Sequence, residues 1–197
     1  VQTCALPISR SSGFQYLFNV RRMQPDGAYS ATWRDPGENL ALTMWMPEET
    51  ATEVILCDAE AELKPDHPDT LQYLLARNEA PLEDAEGDLS SQYITVSEPH
   101  RGEGLVQSVR RLEAIEAAEH AAGVAVRHDA GTDLIHSALS ADVEAAWTDD
   151  AGDLRATGEF ALATVDDDGV SRACLVNGTS LRCGEFELTA EASPAGR

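Results

Sequence analysis

GEFALATVDDDGVSRACLVNGTSLRCGEFELTA, residues 158–190, decides the fold class. It holds three runs of strand-forming residues, GEFALATV (158–165), VSRACLV (170–176) and EFELTA (185–190). They are parted by DDDG (166–169) and NGTS (177–180). Aspartate, asparagine and glycine tolerate the backbone conformations of tight turns, so both separators are expected to reverse the chain. In the last run Phe186 and Leu188 alternate with Glu185, Glu187 and Thr189, as in a strand with one buried and one wet face. The segment predicts an antiparallel meander.

The same alternation of short runs and turn signals continues upstream. FQYLFNV (14–20) precedes QPDG (24–27), and AYSATW (28–33) precedes DPGEN (35–39). In NLALTMWM (39–46), Leu40, Leu42, Met44 and Met46 form the apolar face and Ala41, Thr43 and Trp45 the other, which makes Trp45 the tryptophan best placed for exposure. TEVILCD (52–58) is apolar on both faces, like an inner strand. LQYLLAR (71–77) and SQYITVSE (91–98) follow, joined by an acidic loop at 79–88. GVAVRHD (123–129) and TDLIHSAL (132–139) read as a hairpin about Ala130-Gly131. One segment dissents. VRRLEAIEAAEHAAG (109–123) spaces Leu112, Ile115 and Ala118 as a helix would, and it is rich in good helix formers. The remaining pattern predicts an all-β fold, an antiparallel two-layer β-sandwich of about ten or more strands.

Composition narrows the function classes. Hydrophobic residues make up 43% of the 197, enough for a globular core. Asp and Glu number 35 against 14 Lys and Arg, giving a net charge of −21, and Lys64 is the lone lysine. Such a surface repels nucleic acid and anionic membranes, so neither is an expected partner. No apolar run reaches the roughly 20 residues of a membrane helix. The opening VQTCALPI (1–8) lacks the parts of a signal peptide. It matches the translation of a sequencing-library adapter, so the natural sequence is expected to begin near Ser9. Without Cys4, three cysteines remain, Cys57, Cys174 and Cys183, with no metal-ligand spacing. Cys174 and Cys183 would face each other across a four-residue Asn177–Ser180 loop but not across a two-residue Asn177-Gly178 turn. The preference of Asn-Gly for two-residue turns predicts two free, partly buried thiols. Asn177-Gly178-Thr179 also fits a glycosylation sequon, a pattern frequent by chance.

Four stretches in order, FQYLFNVRR (14–22), TEVILCDAE (52–60), YITVSEPHRGEGLVQSVRRLE (93–113) and GVAVRHDAGTDLIHSAL (123–139), resemble the C-terminal β-sheet domain of heparinase II/III-like polysaccharide lyases. The tail at 158–188 is similar to the end of such proteins. The resemblance implies one β domain over residues 9–191, with residues 192–197 as a tail and an (α/α) toroid preceding residue 9. It implies strand rather than helix for residues 105–116, against the local propensity. It also implies β-elimination on a uronate-containing polysaccharide, bound mainly through the toroid, and a secreted or periplasmic location. That chemistry requires neutralising the uronate carboxylate, a base for the proton beside it and an acid for the departing oxygen.

A family motif resembling H-x-Y-x-F-H reads Phe14-Gln15-Tyr16-Leu17-Phe18-Asn19 here. Tyr16 is the implied catalytic residue. Asn19, where a histidine is expected, can pair with a carboxylate but cannot carry a proton, so this chain by itself is expected to be inactive. Tyr16 and Asn19 fall on opposite faces of a regular strand unless a bulge intervenes. Arg21 and Arg22, like Arg110 and Arg111, offer local positive charge for an anionic sugar or salt bridges to nearby carboxylates. Trp45, ahead of Trp33 and Trp147, could stack on a sugar ring or pack in the core. Arg21, Arg22, Asn19 and Trp45 are thus the substrate-binding candidates. His128 and His136, with Asp133, give a weak metal signal, and His100 reads as a loop residue; no metal or cofactor is expected. The alternative is a carbohydrate-binding or structural β-sandwich module without chemistry, or an accessory domain of another carbohydrate-active enzyme.

Overall fold

The computed structural model describes residues 2–3, 16–35, 37–48, 53–60, 70–78, 91–116 and 118–191. Phe14 and Gln15 of the tyrosine motif and the acidic loop at 79–88 lie outside them. The described residues are almost entirely β, in antiparallel sheets, as expected. They contain no helix long and apolar enough to cross a membrane. The chain divides into two compact units, residues 1–31 with 48–94 and residues 32–47 with 95–197. Strands are numbered along the chain.

In the first unit, β1 (Gln2–Thr3), β2 (Leu17–Met23), β5 (Glu53–Glu60) and β6 (Thr70–Arg77) form a sheet in the order β1-β2-β5-β6. Ile55 and Cys57 of β5 are buried with Val20 of β2, and Leu17 and Leu75 pack on them. β5 is the central strand predicted from its two apolar faces, since Val54, on the opposite face, is buried as well.

A three-stranded sheet is formed by β3 (Tyr29–Asp35), β4 (Leu40–Met46) and β7 (Val96–Arg101), and all of it but the first three residues of β3 falls in the second unit. The alternation in β4 is reversed over its first four residues, whereas Met46, on the predicted apolar face, is buried as expected. Ala41 and Thr43 are 8% and 6% exposed, whereas Leu40 and Leu42 are 37% and 38% exposed. The covered face closes a polar chain. The Thr32 and Thr43 hydroxyls are 2.9 Å apart, Thr43 lies 3.1 Å from His100 Nε2, and His100 Nδ1 lies 3.0 Å from the Gly102 carbonyl. His100 is therefore a strand residue, not a loop residue, and β7 begins at Val96 rather than at Ser91.

The larger sheet of this unit contains β8 (Val106–Arg111), β9 (Glu113–Glu116), β10 (Ala121–His128), β11 (Gly131–Ala138), β12 (Glu144–Asp149), β13 (Gly152–Asp166), β14 (Gly169–Cys183) and β15 (Phe186–Thr189). The first half of β13 pairs with β12 (Glu144↔Thr157 to Asp149↔Gly152), and its second half pairs with β11 (Thr132↔Val165 to Ser137↔Phe160). β14 accompanies both halves, with one residue extra near Thr157/Gly158. At that step an added Cβ on Gly158 would stand 2.7 Å from Gly178 Cα. Only a bare backbone fits there, and the sheet folds over on itself.

The two flaps enclose one core of Leu112, Ala125, Leu134, Trp147, Leu154, Ala161 and Leu181, among others. Its small residues let the layers approach. A Cβ on Gly123 would stand 2.6 Å from Trp147 Cδ2, so β10 leaves a slot into which the indole drops.

Two local expectations give way here. Residues 106–111 and 113–116 are strand, as the resemblance implies and helix propensity does not. β8 pairs with β10 and β9 with β12, the chain passing from one flap to the other at buried Leu112, whose N–H donates to Gly123 O at 3.0 Å. Ile115, counted on the apolar helical face, is 51% exposed. Two long-range ladders outweigh a propensity difference of a few tenths of a kcal/mol per residue.

NGTS, expected to turn, lies within uninterrupted β14. Its Asn177 adopts φ 45°, and the extra residue nearby, Thr179 between Gly178 and Ser180, makes a bulge rather than a reversal. Cys174, which is exposed, and Cys183, which is buried, therefore sit on one strand, each with a free thiol. The β10–β11 hairpin turns at Asp129-Ala130, one residue earlier than predicted, with His128 opposite Gly131.

Candidate functional site

The tyrosine motif leads into β2. Tyr16 precedes the strand with 68% of its surface exposed. The ladder to β5 runs Leu17↔Ala59 and Phe18↔Asp58, then resumes at Arg21↔Leu56. Asn19 and Val20 thus share the space opposite Cys57, the bulge that a common orientation of Tyr16 and Asn19 would require. Asn19 adopts φ 51°, and its side-chain amide donates to Asp58 Oδ2 at 2.8 Å. The bulge lets Val20 turn into the core beside Ile55 and Cys57. Arg21 is exposed. Arg22 lies 3.3 Å from Glu53 Oε1, while Arg77 Nε donates to Glu53 Oε2 at 2.6 Å. Glu53 is therefore clasped between two guanidinium groups. Burial, and then the neighbouring Asp58 charge, raise the Cys57 thiol pKa, so it is a packing group rather than a nucleophile.

Trp45 belongs to the second unit. It is half-buried, and its indole N–H is enclosed without an acceptor among the described residues. Trp33 is also half-buried, whereas Trp147 is a core residue unavailable for sugar stacking. His128 and His136 part company. His136 is 0% exposed and faces the interior. At His128, Nδ1 accepts the Ala130 N–H at 3.2 Å, while Nε2 lies 3.3 Å from Asp133 Oδ1. Asp133 also accepts the Thr164 hydroxyl at 2.6 Å. Among the described residues no group of three or more His, Cys, Asp or Glu side chains is arranged to hold a metal.

The sequence reading missed a cleft of about 620 Å³ at one end of the folded sheet. The turns after β10, β12 and β13 bring Asp129, Asp149, Asp150, Asp166 and Asp167 together there, with Arg110, Arg127 and His128. Arg110 spans Asp149 at 3.0 Å and Asp150 at 3.2 Å, and Gln107 donates to Asp129 at 2.7 Å. Much of the hydrogen-bonding capacity is spent internally. Aspartates outnumber the arginines, and that balance opposes a uronate carboxylate. Separate acidic turns left no signal, because only the ladders set them side by side. No protein-family model, curated protein or solved structure matches the chain.

Proposed function

We propose that this chain is the C-terminal β domain of a heparinase II/III-like polysaccharide lyase and is not catalytic by itself. The observation that carries the reading is the conformation of residues 106–116. Local propensity favours a helix there, the resemblance to the lyase domain requires strands, and the chain forms β8 and β9. The antiparallel strands at residues 17–23, 53–60 and 121–138 agree with the other resembling stretches.

In this reading the chain contributes surface and at most one reacting group. The Tyr16 phenol is accessible enough to meet a sugar. Asn19 and Arg22 are already engaged by Asp58 and Glu53, so carboxylate neutralisation falls mainly to the toroid. The partner is an acidic polysaccharide, and the location is outside the cytoplasm.

The test is to recover the uninterrupted gene and assay both forms for the ultraviolet absorbance of unsaturated uronate ends. We expect a preceding helical toroid with a Tyr, His and Asn cluster, product from the full-length protein, and none from this chain. Turnover by this chain, or an unrelated module upstream, overturns the proposal.

A further inference from the structure

The most enclosed polar side chain of the second unit is His136, and its bonding is fully specified. It lies on β11 opposite Gly123 of β10 and Ala161 of β13, with 0% of its surface exposed. The Trp147 indole can only donate, and its Nε1 lies 3.1 Å from His136 Nδ1, so Nδ1 is the acceptor. Nε2 then carries the proton and donates to the Gly158 carbonyl at 3.0 Å. One imidazole thereby ties β12, through Trp147, to the step where the sheet folds over. Both bonds are made only by the neutral Nε2–H tautomer. A second proton would set an N–H of the ring against the indole N–H.

We propose that His136 is a proton-operated latch, holding the β12 flap and the Gly158 bend together while neutral and releasing Trp147 when acid protonates Nδ1. Among the described residues, the surroundings of His136 provide no counter-charge for the imidazolium. On β11, Asp133 is three residues away on the opposite face, engaged by His128 and Thr164. On β10, Arg127 lines the cleft at the far end of the strand, as does Asp149 on β12, where Arg110 pairs with it. Arg155 of β13 pairs with both Glu144 of β12 and Glu116 of β9 on the outer face. Glu159, beside Gly158, is occupied by the Asn177 amide. Cys183, in the same core, keeps its proton because burial, and then Asp153, raise its pKa. Consistent with this setting, burial lowers the His136 pKa, only partly offset by the Gly158 hydrogen bond.

The sign follows. The unfolded imidazole gains a proton near pH 6.5 and the folded one resists it. Stability is therefore complete above about pH 6.5 and declines as pH falls toward the lower folded value, by about tenfold in the unfolding constant per pH unit. Urea unfolding between pH 8 and pH 5 tests this on the full chain and on His136→Gln, which cannot titrate. The ratio of the two unfolding constants is expected to climb about tenfold per pH unit below pH 6.5; a constant ratio overturns the latch. Should His136→Gln not fold, the wild-type imidazole nitrogens answer by NMR. We expect the Nε2–H tautomer at neutral pH and a midpoint below the usual histidine range, moving upward in Trp147→Phe. An ordinary midpoint, or the Nδ1–H tautomer, overturns it.

Discussion

Asn19 in the first unit and Asn177 in the second are built alike, although the sequence marks one as a substrate-binding candidate and the other as a turn. Each adopts a left-handed backbone, with φ 51° and 45°. Asn19 stands at a register slip of its antiparallel pair, and Asn177 stands two residues from one, which leaves Thr179 as the extra residue. Each amide donates to a carboxylate on the neighbouring strand, Asn19 to Asp58 at 2.8 Å and Asn177 to Glu159 at 2.9 Å. Asparagine suits this place because its short amide tolerates the left-handed region and reaches across one strand spacing. Their surroundings differ. At Asn177 the backbones of Gly158 and Gly178 approach so closely that neither accepts a side chain. At Asn19 the slip turns Val20 into the core. The pair teaches that a left-handed asparagine beside a carboxylate is a way to place a bulge, and that ligand binding is not needed to account for it.

The largest effect is expected at the close approach. Gly158→Ala would press a methyl group onto Gly178 Cα, with backbone on both sides and nothing flexible to yield. Overpacking of this kind costs about 3 kcal/mol or more, so urea unfolding should show a chain near the limit of folding. A variant as stable as the parent would mean the fold-over does not depend on bare backbone there.

A middle-sized effect separates backbone from amide. Asn19→Ala and Asn177→Ala should each cost about 1–2 kcal/mol, because alanine resists the left-handed region. The two glycine variants should cost only about 0.5 kcal/mol, the share of an exposed hydrogen bond. Unfolding midpoints of the four proteins decide it: if glycine is as costly as alanine at either site, the amide rather than the backbone governs that bulge.

A smaller change is expected at the clasped carboxylate. Glu53→Gln removes one charge from between Arg22 and Arg77, whose side chains are 31% and 37% exposed. Screening by solvent holds the loss to about 1 kcal/mol, and added salt should shrink the gap between the two proteins. A gap that ignores salt would point to packing in place of charge.

The smallest expected effect is none. With NGTS inside one bulged strand, Cys174 and Cys183 stand about 30 Å apart along it, too far for a disulfide. Thiol counting on the denatured, unreduced protein should find both free after mild oxidation. A bridge mapped between them would restore the hairpin and dissolve the likeness of Asn19 and Asn177.

Strands with clean periodicity or a single clear separator were legible. DDDG turns the chain as its aspartates and glycine suggest, and TEVILCD is an inner strand. β12 was not legible. Ala145, Ala146 and Trp147 are all buried, so EAAWTD shows no alternation. β4 displayed its period, but the covered face of its first half was not legible, since the buried Thr43 hydroxyl is acceptable only once Thr32 and His100 are beside it. The candidate residues Tyr16, Asn19, Arg21 and Arg22 could be placed on β2 or at its start. The carboxylate partners of Asn19 and Arg22, Asp58 and Glu53, come from β5, more than thirty residues further along.

By itself, then, the sequence determined the class: short alternating runs bounded by Asp, Asn and Gly make antiparallel β structure, because side-chain period and turn chemistry are properties of a few adjacent residues. Tertiary structure decided whatever depends on a distant partner. It made residues 106–116 strands, since β10 and β12 supply ladders that a helix would forgo. It made NGTS a bulged stretch of strand, since Gly158 stands opposite Gly178. And it set His136 between Trp147 and Gly158, where a common histidine became the most enclosed polar group of its unit.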